Sequence, residues 1–478
     1  MVESPRAPVQ PAARTVGELR ASGWQSRTVK EEIRSNLLAR LASGAALLPG
    51  IVGYDDTVLP ALENALLAGQ DLVFLGERGQ AKTRMARALI GLLDPWLPAI
   101  RGGELNDDPY APISAAARAL IAEAGDETPI EWIPADRRYA EKLATPDITI
   151  ADLIGEVDPI RVAEGRYLSD ELTLHYGLVP RANRGIFAIN ELPDLAERIQ
   201  VGLLNILEER DVQIRGFQVR LPLDLLVVAS ANPEDYTSRG RIITPLKDRL
   251  GSQIRTHYPK TLAQEVAIVR QEQLRFPPSE GVPTVVIPPF MEELVAELSH
   301  LARRSPEISQ RSGVSVRVSV ANVEVLEAAA LKRAVRLGER TAAPRISDLG
   351  AVMASTVGKI ELETAGDDVP EERIVERLIT KATFATFGRH VGVDVLADLV
   401  TAFEDGLVME TGDRVPSVDY VRRLPELPGM AVAIRRLGVT GKADDAVIAS
   451  AIELVLEGLH LSRRINKDRA ADGTTYRR

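Results

Sequence analysis

A glycine-rich segment, GERGQAKT at positions 76–83, has the residue types that bind phosphate. It lies between a short apolar run, DLVFLG, and a segment with helical spacing. Backbone N–H groups at the start of a helix bind anions, and the positive end of the helix dipole strengthens this attraction. The phosphate-loop pattern is G-x-x-x-x-G-K-[ST]. Gly76, Lys82 and Thr83 match it, whereas Ala81 stands where the second glycine belongs.

This pattern predicts an ATP-binding loop. The residues expected to line the phosphates are Gly76, Glu77, Arg78, Gly79, Gln80, Ala81, Lys82 and Thr83. Lys82 would reach the β and γ phosphates, and the Thr83 hydroxyl would be a ligand of Mg²⁺. The alternative is a plain glycine turn with a surface lysine. The apolar run before the loop and the helical spacing after it favour the phosphate loop, because the motif requires that context.

Polar residues also end two further apolar runs. GIFAIN (185–190) is followed by Glu191, and DLLVVASAN (224–232) ends at Asn232. Glu191 is a candidate base for an attacking water, and Asn190 could hold Mg²⁺ through water, although hydrolytic NTPases usually have an aspartate there. Open α/β sheets bind ligands at the carboxyl ends of their strands, so Asn232 could contact the γ-phosphate. Ordinary polar strand ends are the alternative for both positions.

The segments that carry these motifs alternate between strand and helix, which predicts an α/β fold with a parallel sheet. Strands are expected at 71–76, 148–155, 185–190 and 224–232, and helices at 27–43, 56–68, 84–93 and 193–210. A hairpin or loop is expected at 165–185 and a hairpin at 211–221. Residues 94–147 are rich in Pro, Asp and Gly, which indicates an inserted segment of loops with one helix at 113–124.

After Pro259 the pattern becomes mostly helical. Helices are expected at 261–275, 289–304, 319–337 and 346–362, with Ser319 as an N-cap and Gly338 as a stop. The predicted domains are an N-terminal segment (1–44), an α/β nucleotide-binding core (45–260), a helical lid (261–394) and a helical C-terminal segment (395–478).

The composition excludes several classes of protein. The chain has 478 residues and no cysteine, so disulfides and thiolate metal sites are excluded. Its net charge of −10 argues against nucleic-acid binding as the main activity. No apolar run has the length of a membrane helix, and the first residues lack the apolar core of a signal peptide. We therefore expect a cytoplasmic protein with no membrane insertion.

Taken in order, GERGQAKT, GLVPRANRGIFAINEL, VVASANPEDY and RGRIITPLKDRL resemble the AAA+ ATPases. The resemblance covers about residues 45–350, and it is greatest to the MoxR-like ATPases and the ATPase (I) subunit of magnesium chelatase. It implies a P-loop AAA+ core with a helical lid. It also implies a Mg²⁺-dependent ATPase that works as a homo-oligomeric ring, most often a hexamer.

The resemblance implies a role for each motif residue. Lys82 and Thr83 match the Walker A pair, and Glu191 matches the Walker B glutamate. Asn190 replaces the Walker B aspartate, and Asn232 matches sensor 1.

Two arginines and one apolar segment complete the implied site. Arg249 matches the arginine finger that acts on the neighbouring subunit, and Arg317 resembles sensor 2. Arginine suits both roles because its planar, permanently charged fork fits phosphate oxygens. The rival candidates for the contact between subunits are Arg181, Arg184, Arg239 and Arg241. The residues that resemble the border of the adenine pocket are Ile51, Val52 and Gly53.

Several functions stay open at this point. The resemblance suggests remodelling of a partner with a von Willebrand factor A domain, or insertion of a metal or cofactor, as in magnesium chelatase itself. Asn190 and Ala81 suggest the alternative of an ATP-binding switch that hydrolyses little. An enhancer-binding transcription activator is disfavoured, because the chain has no GAFTGA motif.

Overall fold

The structure is a computed structural model that describes residues 9–157, 174–208, 212–214, 217–219, 221–232, 241–309, 312–363, 370–440, 442–470 and 473–478. The backbone divides into two compact units, Met1–His257 and Tyr258–Arg478. The strands of the first unit are β1 (Leu72–Leu75), β2 (Trp96–Ile100), β3 (Ile130–Pro134), β4 (Tyr139–Leu143), β5 (Gly155–Val157), β6 (Leu174–Tyr176), β7 (Gly185–Asn190), β8 (Val212–Ile214), β9 (Phe217–Val219), β10 (Leu225–Ala231) and β11 (Ser252–Arg255). Its helices are α1 (Val16–Ala21), α2 (Val29–Ala42), α3 (Val58–Leu67), α4 (Lys82–Ala88), α5 (Ala115–Ala124), α6 (Ile150–Leu153), α7 (Leu178–Arg181), α8 (Glu197–Glu208) and α9 (Thr244–Arg249).

The main sheet of this unit has the strand order β11-β1-β10-β7-β4, and each neighbouring pair is parallel. This confirms the predicted α/β class. The strands predicted at 71–76, 185–190 and 224–232 are β1, β7 and β10, and they lie side by side in the middle of the sheet. Because the strands are parallel, the residues that follow them meet at one edge.

Both faces of the sheet are covered by apolar side chains. Leu72 and Phe74 of β1 pack in one cluster with α2, α3 and α4, whereas Val73 between them joins a second cluster with α8. Alternate side chains of a strand point to opposite faces, so a strand covered on both sides is apolar at every position. This explains why β1, β7 and β10 were recognisable as continuous apolar runs.

The prediction for 94–155 was wrong in two respects. The segment read as an insertion of loops contains β2, β3 and β4, and β4 is the edge strand of the main sheet. The strand predicted at 148–155 is instead helix α6 followed by β5. Thr149 and Asp152 form a capping box that starts this helix. The sequence of β4, YAEKL, has no continuous apolar run, because an edge strand is only half covered.

A buried ion pair joins α2 to the start of β4. Arg138 donates hydrogen bonds of 2.7 Å to each carboxylate oxygen of Glu32, and both side chains are almost fully buried. Arg138 also donates to the carbonyl of Arg184, directly before β7. These bonds fix the position at which the edge strand enters the sheet.

The two predicted hairpins differ in how far the structure describes them. In the hairpin at 211–221, β8 and β9 pair antiparallel with Val212 opposite Val219, as predicted. Of the hairpin predicted at 165–185, residues 165–173 lie outside the described part of the chain. The helix predicted at 193–210 is observed as α8 over Glu197–Glu208.

The second unit is mostly helical. Its helices are α10 (Leu262–Glu272), α11 (Pro289–Arg304), α12 (Val316–Leu337), α13 (Met353–Thr356), α14 (Glu371–His390), α15 (Ala397–Glu404), α16 (Ser417–Arg422), α17 (Met430–Arg436) and α18 (Asp445–Leu461). Its strands are β12 (Thr284–Val285), β13 (Thr341–Ala342), β14 (Met409–Thr411), β15 (Asn466–Ala470) and β16 (Gly473–Arg477). One apolar cluster includes residues from both the predicted lid and the predicted C-terminal segment.

Three details of the second unit differ from the prediction or refine it. The last residues of the segment predicted to be helical, 395–478, instead form strands β15 and β16, which pair with each other and with β14. Ser315, rather than Ser319, caps α12 by accepting a hydrogen bond from the backbone of Arg317. Gly338 does end this helix in the left-handed conformation, with φ 68°.

Ser319 instead belongs to a buried polar cluster around Glu265. Arg303 donates two hydrogen bonds to this carboxylate, at 2.6 and 2.9 Å, and Ser319 donates a third at 2.6 Å. Burial raises the pKa of Glu265, but the nearby His300 ring, the hydrogen bonds from Arg303 and Ser319 and the charge of Arg303 outweigh it and lower the pKa to about 2. The ionised form of Glu265 is therefore part of the native packing.

Within the part of the chain that the structure describes, no helix is both long enough and apolar enough to cross a membrane.

Candidate nucleotide-binding site

The predicted phosphate loop connects β1 to α4. An added Cβ at Gly76 would lie 1.9 Å from the Thr256 hydroxyl and 2.2 Å from the Gln80 side-chain oxygen, so only glycine fits there. Gly79 and Ala81 both have positive φ, of 78° and 57°. Ala81 thus adopts the left-handed conformation that the glycine of the motif adopts easily. The replacement keeps the shape of the loop at a cost in backbone strain.

Lys82 lies inside the loop that precedes it. Its ammonium group donates to the carbonyl oxygen of Gly76, to that of Glu77 at 2.9 Å and to the side-chain oxygen of Asn232 at 2.6 Å. Only 6% of the residue is exposed. These contacts contradict the alternative of a surface lysine on a plain turn.

Asn232 joins the lysine to the candidate base. Its side-chain oxygen accepts from Lys82, and its amide nitrogen donates to a Glu191 carboxylate oxygen at 2.6 Å. Glu191 has φ 56° and ψ 48°, a left-handed conformation that is uncommon for a residue other than glycine. Its backbone N–H donates to the Ser230 hydroxyl at 3.2 Å. The turn after β7 therefore directs Glu191 towards the end of β10.

Thr83 and Asn190, the predicted Mg²⁺ residues, are in contact. The Thr83 hydroxyl donates to the side-chain oxygen of Asn190 at 3.3 Å, and the Ser230 hydroxyl donates to the same oxygen at 3.3 Å. The amide nitrogen of Asn190 points the other way and donates to Glu141 on β4 at 2.6 Å. Asn190 thus presents an oxygen to the loop and a nitrogen to the edge strand.

Glu141, which accepts the hydrogen bond from Asn190, has two further donors. Arg87 of α4 binds it through two hydrogen bonds of 2.6 and 2.9 Å, and the Tyr139 hydroxyl donates at 3.0 Å. Burial raises the pKa of Glu141, but the hydrogen bonds from Arg87, Tyr139 and Asn190 outweigh it, so the pKa lies below its ordinary value. Glu141 is therefore an acceptor for all three donors.

The segment predicted to border the adenine is linked to the loop through Tyr54. The Tyr54 hydroxyl lies 2.9 Å from the carbonyl oxygen of Gln80 and 2.8 Å from that of His257. Burial raises the pKa of Tyr54 to about 12, so the hydroxyl keeps its single proton, which these two carbonyl oxygens share. Ile51 and Val52 are half-buried, and Gly53 has φ 82°. Their contact with adenine stays a prediction.

The candidate arginines have different surroundings. Arg249 ends α9, is half-buried and donates to the Pro245 carbonyl at 3.0 Å. Arg184 is buried, donates to the Pro98 carbonyl at 2.7 Å and pairs with Asp108 at 3.2 Å, so it is bound within its own subunit. This excludes Arg184 as a contact to a neighbour.

The other candidate arginines keep their predicted roles as predictions. Arg181 and Arg241 are exposed and lie near carboxylates, at 3.3 Å from Glu104 and 3.7 Å from Glu197 respectively. Arg239 lies outside the described residues. Arg317 is exposed in the first turn of α12, in the second unit, and its sensor 2 role stays a prediction.

The residues present fit Mg²⁺ and a nucleotide. Thr83 and Asn190 offer neutral oxygen ligands, which suit Mg²⁺ when the phosphates of a nucleotide supply the charge. Among the described residues no group of three or more His, Cys, Asp or Glu could hold a metal ion by itself. The tight fit around Gly76 and the buried ammonium of Lys82 are features expected of a phosphate loop.

Several residues of this site were not predicted, among them Tyr54, Glu141 and Ser230. Ser230 is the polar residue two positions before Asn232 in an apolar run, and this pattern could have identified it. Glu141 lies in a segment whose strand was not recognised. Tyr54 follows the predicted segment at 51–53 directly, but its partner Gln80 is 26 residues away.

The comparisons with known proteins agree with the resemblance seen in the sequence. The chain is 28% identical over 228 residues to the magnesium-chelatase subunit ChlI of Nostoc. This alignment covers 46% of this chain and 57% of that protein. It is also 30% identical over 240 residues to the magnesium-chelatase 38 kDa subunit of Acidiphilium rubrum. This second alignment covers 47% of this chain and 63% of that protein. The chain thus spans about three fifths of the length of these relatives.

Two further comparisons were found. The Sigma-54 interaction domain family matches residues 164–252. A solved complex between the BchI and BchD subunits of magnesium chelatase aligns with 69% of this chain and 97% of its own, at 21% identity and a TM-score of 0.35. The similarities in sequence confirm the resemblance to AAA+ ATPases of the magnesium-chelatase clade.

Proposed function

We propose that this chain, an AAA+ relative of the magnesium-chelatase subunits, binds ATP with Mg²⁺ at the carboxyl edge of its parallel sheet and hydrolyses it. The observation that carries the proposal is the continuous contact from Lys82 through Asn232 to Glu191. Glu191 and Asn232 directly follow β7 and β10, and Lys82 begins α4 after the loop that follows β1. A lysine for phosphate, an amide and a carboxylate base in contact are among the parts that phosphoryl transfer to water requires.

Each residue has a defined task in this proposal. Lys82 binds the β and γ phosphates, and Glu191 accepts the proton of the attacking water. Asn232 holds the Glu191 carboxylate in place by its hydrogen bond of 2.6 Å. Thr83 and Asn190 would hold Mg²⁺, which supplies positive charge to the phosphate oxygens when bound.

The assembly is part of the proposal and rests on the resemblance. We expect a homo-oligomeric ring, a hexamer in most AAA+ proteins, in which Arg249 of one subunit contacts the γ-phosphate bound by the next. Arg317 would act from a lid comprising 261–394, which shares one apolar cluster with the C-terminal segment at 395–478. The ring would act in the cytoplasm on a partner protein or cofactor-insertion complex, such as one with a von Willebrand factor A domain.

Steady-state ATP hydrolysis, measured with and without Mg²⁺ together with particle mass by light scattering, tests the proposal. Lys82→Ala should abolish nucleotide binding, whereas Lys381→Ala, at an exposed helical position of the second unit, should leave it unchanged. Glu191→Gln should keep binding and lose turnover. Arg249→Ala should also spare binding and reduce turnover. ATP affinity unchanged in Lys82→Ala would contradict the phosphate-loop assignment.

An ATP-binding switch with little hydrolysis is the second candidate, and Asn190 is the observation that favours it. An amide attracts Mg²⁺ less than the aspartate that hydrolytic NTPases usually have. Tight ATP binding by the wild-type protein, with no turnover above that of Glu191→Gln, would establish the switch. Turnover that requires Mg²⁺ and is lost in Glu191→Gln would establish the ATPase.

A further inference from the structure

The neighbours of Asn190 allow only one orientation of its side-chain amide. Its oxygen accepts from the hydroxyls of Thr83 and Ser230, and its nitrogen donates to Glu141 at 2.6 Å. If the amide were turned over, its oxygen would face a carboxylate oxygen with no proton between them. Two acceptors at that distance repel, so Glu141 determines which atom of Asn190 faces the phosphate loop.

Glu141 also accepts hydrogen bonds from two other side chains. Arg87 binds both of its oxygens, and Tyr139 donates to one of them. Arg87 belongs to α4, the helix that begins with Lys82 and Thr83, whereas Glu141 belongs to the edge strand β4. The network therefore connects the helix after the phosphate loop, the edge strand and the end of β7.

The same contact favours an amide over a carboxylate at position 190. A carboxylate at position 190 would place two negatively charged oxygens next to each other, since Glu141 already occupies the neighbouring position. Like charges in contact are unfavourable unless one is neutralised. Asn190 removes this repulsion and still offers an oxygen to Thr83.

We propose that Glu141 is a positioning residue: it accepts the amide N–H of Asn190 and thereby aims the Asn190 oxygen at Thr83 and at the Mg²⁺ that accompanies the nucleotide. Glu141 and Asn190 then act as one pair, in which Glu141 carries the negative charge and Asn190 presents its oxygen to Thr83. This inference rests on the proposed nucleotide site and adds the residue that orients its metal side.

The test measures how strongly Mg²⁺ tightens ATP binding. The dissociation constant for ATP is determined by calorimetry in excess EDTA and in excess Mg²⁺. The readout is the ratio of the value in EDTA to the value in Mg²⁺, which is large when Mg²⁺ tightens binding. Glu141→Ala should lower this ratio about 10-fold, the size of effect typical for residues that orient metal ligands. Arg87→Ala is the matched control, because it removes the same ion pair but leaves the acceptor for Asn190, and its ratio should stay within about twofold of wild type.

An exchange of the pair gives a second, independent result. Asn190→Asp alone should lower the ratio or destabilise the first unit, because it creates the carboxylate contact described above. Combining Asn190→Asp with Glu141→Gln restores one carboxylate and one amide, and should return the ratio to the wild-type value or above it. Tryptophan fluorescence reports whether each variant is folded, since Trp24, Trp96 and Trp132 all lie in the first unit.

Three results would overturn the inference. They are a wild-type ratio in Glu141→Ala, an equal loss in Arg87→Ala, and an Asn190→Asp variant that performs as well as the double variant. Failure of the proposed function looks different, because the wild-type protein would then bind no ATP, or bind it equally with and without Mg²⁺.

Discussion

Replacing Ala81 by glycine should stabilise the first unit, although the same exchange destabilises most helices. Ala81 has φ 57° and ψ 16°, a conformation that costs a residue with a Cβ about 1–2 kcal/mol. Glycine avoids this cost, but it increases the entropy of the unfolded chain by about 0.4–1 kcal/mol. The difference between the midpoints of these ranges predicts a net gain of about 0.8 kcal/mol.

Ala119→Gly is the matched control in the same unit. Ala119 is an exposed residue inside α5, where the backbone is right-handed. Glycine should cost about 1 kcal/mol there, so the two variants should change stability in opposite directions. The shape of the phosphate loop should stay the same in Ala81→Gly, because glycine adopts the same φ without strain.

Urea unfolding followed by tryptophan fluorescence measures this difference, because the three tryptophans of the chain lie in the first unit. With a slope of about 3 kcal/mol per M urea, Ala81→Gly should raise the midpoint by about 0.3 M and Ala119→Gly should lower it by a similar amount. Equal destabilisation by the two variants would refute the left-handed conformation of Ala81 in solution.

Three other predictions concern the packing around the site and in the second unit. Gly76→Ala should destabilise the first unit by about 1–3 kcal/mol and weaken ATP binding, measured by urea unfolding and calorimetry, because the added methyl has no space. Glu32→Gln should cost about 3–5 kcal/mol in the same unfolding experiment, because it leaves the charge of Arg138 buried without its partner. Lowering the pH from above 4.5 towards 2 should cost the second unit about 3 kcal/mol, because Glu265 has a pKa of about 2 in the folded state and an ordinary value of 4.5 in the unfolded state. Circular dichroism measures this loss, and Glu265→Gln should remove it.

Each of these predictions has its own contrary result. Native stability in Gly76→Ala would mean that the loop is wider than the structure shows. A Glu32→Gln variant as stable as wild type would mean that Arg138 reaches water. A pH dependence that persists unchanged in Glu265→Gln would assign it to another carboxylate.

The phosphate loop and the ends of the two central strands were predictable because each is a local pattern. A buried parallel strand is apolar at every position, and the polar residue that follows it marks the edge where ligands bind. Lys82, Glu191 and Asn232 were identified in this way, and the structure brings all three into contact. The residues of the sheet edge were not predictable in the same way, since β4 has no continuous apolar run.

The role of a polar residue depends on contacts that span many residues of the chain. The register of β4 against β7 places Leu143 opposite Asn190, and the Glu141 side chain two residues earlier reaches the Asn190 amide. Arg184 resembled other candidate arginines in the sequence, but it is buried against Asp108. Neither contact follows from spacing along the chain.

The sequence by itself therefore determined the α/β class, the phosphate loop and the chemistry of the strand ends. The spacing of apolar residues, the apolar runs and the positions of glycines are patterns that extend over only a few residues. Only the tertiary structure decided that Ala81 is left-handed, that Arg184 is bound within its own subunit and that Glu141 orients Asn190. Strand order and register bring these side chains together, and both depend on how all the strands share one core.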